Sequence, residues 1–216
     1  MSEATIIPIF PLELVLYPSE QLPLHIFEER YREMVAYCLE DEAPFGILLV
    51  NEGKMANIGC TAHIEQVVTK YDDGRLDIIV HGMQRFRVEE VFENKVYMTA
   101  SIDFLREPDE PVKNDMRERV ITQHMRLLEL AGRKVRPTTY QNLTGVSFFI
   151  AHNAGLKPNQ KQEILELNSE NERISYLAGH LEMLIPRVEE FEDVRKKVQS
   201  NGHFKDFPSE DLPSVD

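Results

Sequence analysis

Residues 64–91, IEQVVTKYDDGRLDIIVHGMQRFRVEEV, restrict the fold more than any other part of the chain. Asp72-Asp73-Gly74 separates a run holding Ile64, Val67 and Val68 from a run of Leu76, Ile78, Ile79 and Val80. Asp-Gly between β-rich runs predicts a hairpin, because Gly74 accepts the positive φ that a tight turn demands. Gly82 predicts a bulge or bend where a side chain would block close backbone approach, and Phe86 and Val88 begin a third run. The expectation is a three-strand antiparallel meander. Such a meander is marginal alone in water, so the flanking sequence has to supply more strands and a cover.

The flanks do so. Ile6 to Leu16 is apolar but broken by Pro8 and Pro11, which predicts short edge strands or extended segments because proline removes a ladder donor. Pro18 and Pro23 punctuate the next stretch. A helix is predicted from Glu28 to Asp41, with Phe27, Tyr31, Met34, Val35 and Cys38 on one face. Phe45 to Val50 reads as a strand buried on both faces, and Lys95 to Leu105 alternates as a further strand. About six short strands, some broken by proline, favour a closed barrel over an open sheet.

Glu107 to Pro111 (EPDEP) stops strand and helix alike, and the period changes beyond it. Met116, Val120, His124, Leu127, Leu128 and Ala131 form a helical stripe ended by Gly132. A helix over residues 145–153 follows, with Thr144 as its candidate N-cap and Gly155 after it. Pro158 opens a short helix to Leu167. Ser169 and Glu172 form a capping box at the head of the longest helix. Its seam is Ile174, Leu177, Leu181, Leu184, Val188, Phe191 and Val198, with Pro186 inside it as an expected kink. The expected division is a barrel with one helix over residues 1–106, a helical bundle over 112–199, and a mobile acidic tail over 200–216.

Charge and cysteine usage exclude several classes. Asp and Glu number 37 against 24 Lys and Arg, for a net charge of −13, which repels phosphate backbones and anionic headgroups. The basic clusters Arg133-Lys134-Arg136 and Arg195-Lys196-Lys197 both fall at predicted helix C-termini, where cations offset the exposed carbonyls. Neither nucleic acid nor a membrane is expected as a partner. No apolar run approaches the roughly 20 residues of a membrane span, and no signal peptide is evident. Two cysteines, Cys38 and Cys60, make no disulfide framework. A cytoplasmic setting is the expectation.

Two groups of residues carry a family resemblance. One is Asp73-Gly74-Arg75 followed by Val80, Gly82 and Arg85-Phe86-Arg87-Val88. The other is Phe10-Pro11-Leu12, Pro18, then Pro23-Leu24-His25-Ile26-Phe27-Glu28-Glu29-Arg30-Tyr31. In this order the chain resembles the N-terminal substrate-recognition domain of Lon-type ATP-dependent proteases, from about Ile6 to Val198. The resemblance implies an α+β fold, a PUA-like β-barrel followed by an α-helical bundle with a long C-terminal helix. Pro11, Pro23, Arg30, Gly74, Gly82 and Arg85 are its structural motif positions. It further implies a role in binding unfolded or exposed polypeptide segments, with a separate ATP-dependent protease as a possible second partner.

Catalytic chemistry is harder to find. No phosphate-binding loop occurs: only Gly53-Lys54 sets Lys after Gly, and Met55 offers no metal-binding hydroxyl. Thr144-Gly145-Val146-Ser147-Phe148 half-resembles a nucleophile elbow but lacks the second Gly and a feeding strand. Cys60-x-x-His63 supplies two metal ligands where a zinc site needs three or four, and strand alternation points them to opposite faces. No catalytic residue, metal ligand or cofactor site is therefore assigned. For polypeptide binding the segment Leu12 to Leu24 is the candidate, with Leu14, Tyr17, Met83 and Phe86 as the proposed contact residues. Two other readings stay open: a small-molecule-binding regulator using the cleft between barrel and bundle, and an unrecognised hydrolase.

Overall fold

A computed structural model describes residues 5–141, 143 and 145–201, with side chains up to Arg195. The tail expected over 200–216 and the candidate cap Thr144 therefore lie outside the described side chains. Seven strands and one helix come first: β1 (Thr5–Leu12), β2 (Gln21–Ile26), α1 (Glu29–Glu40), β3 (Phe45–Asn51), β4 (Lys54–Met55), β5 (Ile58–Lys70), β6 (Leu76–Phe92) and β7 (Thr99–Phe104). Four further α-helices follow: α2 (Asn114–Leu130), α3 (Val146–Asn153), α4 (Pro158–Glu166) and α5 (Glu170–Asn201). The fold is α+β, a PUA-like barrel and a helical bundle with a long last helix.

The predicted hairpin is present. β5 and β6 pair antiparallel, Lys70 faces Leu76 across the turn, and Gly74 has φ of 85°. Gly82, however, does not split the chain into separate strands. β6 is one 17-residue strand that runs through it. The register with β5 does shift beside Gly82, which marks the anticipated irregularity. The strand survives because the segment before β2 holds the Gly82 backbone in place. Its N–H donates to the Glu20 carbonyl and its carbonyl accepts from Ser19 N–H, each at 2.8 Å. A Cβ built there would stand 2.1 Å from the Tyr17 carbonyl oxygen, so only glycine admits the approach.

β1 corrects a second expectation. It is not an edge strand. Residues Thr5 to Pro8 pair antiparallel with β7, and Ile9 to Leu12 pair parallel with β3. The partner changes at Pro8, so the strand tolerates its prolines and closes the ring β1-β7-β6-β5-β3. β2 takes the place of β7 beside the first half of β6 and, among the described residues, has no other partner strand. Pro23 lies in this edge strand, as proline requires. β7 begins at Thr99, four residues later than the sequence pattern suggests. α1 buries Tyr31, Met34, Val35 and Cys38, but Phe27 is 61% exposed and lies outside that face.

In the bundle, Val120, His124, Leu127 and Leu128 are buried, as their spacing predicts. The Ser169–Glu172 capping box forms with both backbone-to-side-chain bonds. Gly145 (φ 82°) is the N-cap position of α3, and the first turn is capped from outside by the Glu170 carboxylate, which accepts from Ser147 N–H at 2.9 Å. α5 stays helical through Pro186. Ile174, Leu177 and Leu181 are fully buried, whereas Phe191 is 69% exposed. One apolar cluster unites Val15, Tyr17 and Leu49 of the barrel with α2, α3, α4 and α5. The barrel and bundle thus share a core.

Candidate functional site

The joint between barrel and bundle is ionic at its centre. Arg85 on β6 and Arg173 on α5 are 3% and 1% exposed. Arg85 Nη1 donates to the Leu165 and Leu167 carbonyls at 2.8 and 2.6 Å, and its Nη2 donates to Glu107 Oε1 at 2.8 Å. Arg173 Nη2 donates to the other Glu107 oxygen at 2.8 Å and to Glu170 Oε2 at 3.0 Å. Its Nε donates to Ser147 Oγ at 2.9 Å, its Nη1 to the Leu167 carbonyl at 3.1 Å, and its plane lies 4.3 Å from the Phe148 ring centroid. Glu107, in the linker, therefore ties a barrel arginine to a bundle arginine. Two buried guanidiniums are tolerable here because carboxylates and carbonyls meet their donors. Burial still holds the Arg85 guanidinium below its ordinary pKa, with Glu107 opposing the shift.

A cleft of about 540 Å³ opens above this network. Met83, Gln84 and Arg85 supply one wall, Leu105 to Val112 the rim, and Gly145, Phe148 and Glu170 the other wall. A neighbouring hollow of about 380 Å³ shares Pro18, Gly145 and Phe148 and reaches Phe149 and His152. His152 pairs with Glu20 there, a second polar link between bundle and barrel. The two hollows adjoin through these shared residues, and both are lined by apolar side chains together with carboxylates.

The four proposed contact residues separate. Met83 is 54% exposed and lines the cleft. Leu14 is partly buried and packs on the barrel core. Tyr17 and Phe86 are 1% and 0% exposed, which corrects their assignment as surface contacts. Tyr17 stacks on Phe148 at 5.3 Å between centroids and donates to the Lys161 carbonyl at 2.9 Å, so it cements the joint. Phe86 fills space beside Gly46 and Gly59, where a Cβ would touch its ring. The segment Leu12 to Leu24 buries Val15, Leu16 and Tyr17 rather than leaving an open groove. Of the motif positions, Arg85 holds the network, Gly74 and Gly82 meet backbone requirements, and Arg30 pairs with Glu28 at 2.8 Å over the Tyr31 ring. Pro11 sits opposite Leu48 in the barrel wall.

Sequence reasoning missed Glu107, Phe148, Glu170 and Arg173. Each is brought to the site from a separate element, and no local pattern joins them. The one available signal was Arg173 itself, an arginine next to Ile174 on the buried side of a helix.

Ser147 is the residue a hydrolase would need, and its hydroxyl donates to Glu170 at 2.6 Å. That pair is spent on structure. Ser147 is fully buried, its oxygen already accepts from Arg173, and Glu170 is held by Arg173 and by Ser147 N–H. No substrate carbonyl can reach a hydroxyl enclosed on both sides. The thiols are no better placed: burial pushes Cys38 up to about 12 and raises Cys60 further. Cys60 faces the core and His63 faces solvent. Among the described residues no group of three potential metal ligands assembles, and no helix is long and apolar enough to cross a membrane.

Residues 6–183 match the family described as the ATP-dependent protease La (LON) substrate-binding domain. The chain is 25% identical to the Lon protease of Escherichia coli K12 over 215 residues, covering 92% of this chain and 27% of that protein. It is 26% identical to the Lon protease of Flavobacterium johnsoniae over 212 residues, covering 89% and 26%. It therefore spans about a quarter of the length of these relatives. The crystal structure of the Lon N-terminal domain protein from Xanthomonas campestris superposes with a TM-score of 0.63 at 22% identity, covering 81% of this chain and 98% of that one. The N-terminal domain of the Mycobacterium avium complex Lon protease gives 0.61 at 16%, covering 82% and 98%. Both support the fold.

Proposed function

Because the chain belongs to the family of LON substrate-binding domains, we propose that the cleft between barrel and bundle binds exposed polypeptide segments and performs no chemistry on them. One observation carries the reading. The 540 Å³ cleft sets a half-exposed methionine, Met83, on one wall and Phe148, itself only 7% exposed, on the other, over a rigid ionic base. Methionine adapts to varied side chains, so Met83 supplies the contact area and the buried Phe148 ring backs the opposite wall. Arg85, Arg173 and Glu107 position the walls without being free to react. The role is that of a client-recognition module, and delivery of the bound client to a separate ATP-dependent protease is part of the proposal.

The test is a titration with a labelled, permanently unfolded probe, reduced carboxymethylated lactalbumin. Met83→Asp places a charge on an exposed site and leaves the fold intact, and it weakens binding at least tenfold. Equal affinity for wild type and Met83→Asp, at equal thermal stability, would remove this cleft as the site. A small-molecule regulator would use the same cleft, whose volume lies within the range of ligand pockets. That reading predicts a saturable small ligand that raises the melting temperature while unfolded polypeptide does not bind.

A further inference from the structure

The part of the cleft that comes from the linker has little of its own to hold it. β7 ends at Phe104 and α2 starts at Asn114. Leu105 N–H still donates to the Arg85 carbonyl at 2.9 Å, and Val112 packs on the bundle core. Between them Arg106 to Pro111 is exposed throughout. Pro108 and Pro111 have no N–H to donate. Among the described residues the backbone of 106–112 makes one backbone hydrogen bond, from Glu110 N–H to the Pro108 carbonyl at 2.9 Å, and that bond is internal to the segment. Neither apolar burial nor backbone pairing fixes this rim, so side chains from other elements have to.

Two such fastenings are present. Arg85 and Arg173 grip Glu107. The second is at the head of α5. Asn171 Nδ2 donates to Glu110 Oε1 at 3.1 Å and to the Pro111 carbonyl at 3.0 Å, and Asn171 Oδ1 accepts from Lys113 N–H at 3.0 Å. One side-chain amide thus serves three linker residues with both donor and acceptor. Ser169 and Asn171 together hold the Glu110 carboxyl below the usual carboxylate range. A carboxylate at position 171 would keep the acceptor and lose the donor, and an aliphatic side chain would lose both. Asn171 lies between Glu170 and Arg173, so a single turn of α5 carries both fastenings.

We propose that Asn171 is a positioning residue for the cleft: it holds the 106–112 rim in place around an inserted polypeptide segment. The inference rests on the reading that the cleft binds polypeptide. Asn171 is not itself among the residues lining the cleft, so it acts through the rim alone. When the rim is in place in only a fraction of the molecules, apparent affinity falls by that fraction.

A spin label attached at Asp109→Cys reads the rim directly. Asp109 is exposed and does not line the cleft, while Cys38 and Cys60 are buried and escape the label. Asn171→Leu sharpens the spectrum of the label and, without the label, lowers affinity for reduced carboxymethylated lactalbumin about tenfold, with circular dichroism showing the chain folded. N171D sets a carboxylate against Glu110 and behaves like Asn171→Leu. N171D/E110Q reverses donor and acceptor across the pair, and it returns both the spectrum and the affinity towards wild type. Asn171→Leu with the wild-type spectrum or the wild-type affinity overturns the proposal, as does N171D/E110Q that is no better than N171D. Wild type that does not bind the probe overturns the client reading instead, and the label spectra alone then decide whether Asn171 holds the rim.

Discussion

Arg173→Met removes the centre of the joint, and its effect can be worked from the geometry. Four hydrogen bonds disappear, to Ser147 Oγ, the Leu167 carbonyl, Glu107 and Glu170. Their former acceptors do not suffer equally. Glu107 is 47% exposed and keeps Arg85, so water and Arg85 satisfy it. Glu170 is 13% exposed and loses its one cation among the described residues, leaving a part-buried carboxylate with two donors from Ser147. Removing one partner of a buried ion pair destabilises by about 3–5 kcal/mol, and the loss here falls in the lower part of that range because Ser147 remains. Methionine retains much of the aliphatic contact with Phe148, so packing loss is secondary. Urea unfolding at pH 7 reads the effect as a lower midpoint at unchanged slope. The mechanism makes a sharper demand on the double variant E170Q/R173M. It deletes the orphaned charge while its amide oxygen still accepts from Ser147, so it recovers about half of the loss or more. A single variant within about 1 kcal/mol of wild type would refute the reasoning. So would a double variant no more stable than the single one.

Two further outcomes follow from the packing. His124 is fully buried, its Nδ1 lies 2.9 Å from the Tyr140 hydroxyl, and burial pushes its pKa down from 6.5 to about 4. The folded state therefore refuses a proton that the unfolded chain accepts below pH 6.5, so stability is complete above that pH and falls towards pH 4. The loss from this group is about 2 kcal/mol at pH 5, and a His124→Gln chain lacks that increment of pH dependence when both are unfolded in urea at pH 7.5 and pH 5. An identical pH slope in the two proteins counts against it. Gly82→Ala drives a methyl to 2.1 Å from the Tyr17 carbonyl, which forces backbone movement and destabilises by about 2 kcal/mol or more. Gly53→Ala, in an open turn with nothing within 4 Å, meets no such wall and loses only the roughly 1 kcal/mol that its φ of 73° costs a residue with a Cβ, so Gly82→Ala has the larger drop in melting temperature.

Local chemistry was legible in the sequence where it decides local structure. The Asp-Gly turn, the Ser169–Glu172 box, Pro158 at a helix start and the buried face of α1 each depend on residues a few positions apart. Properties set by distant partners were not legible. Gly82 looks like a strand break until Tyr17 and Glu20 are seen to press on it from 60 residues upstream. Pro8 marks an edge in the sequence, but in the barrel it marks the point where β1 exchanges β7 for β3. Tyr17 and Phe86 have the composition of a binding surface and the burial of a core, and only the tertiary fold distinguishes the two. The cleft could be placed through Met83 because that residue follows the Gly82 irregularity. Its other wall, Phe148 and Glu170, comes from helices with no sequence relation to β6.

Polypeptide recognition at the barrel–bundle cleft is tested most directly by hydrogen exchange, with and without saturating reduced carboxymethylated lactalbumin. The account predicts slowed exchange in residues 83–85, 105–112 and 145–149 together, with β2 and the outer half of α5 unchanged. Binding that protects β2 or the exposed face of α5 and leaves those three segments unaltered would contradict it.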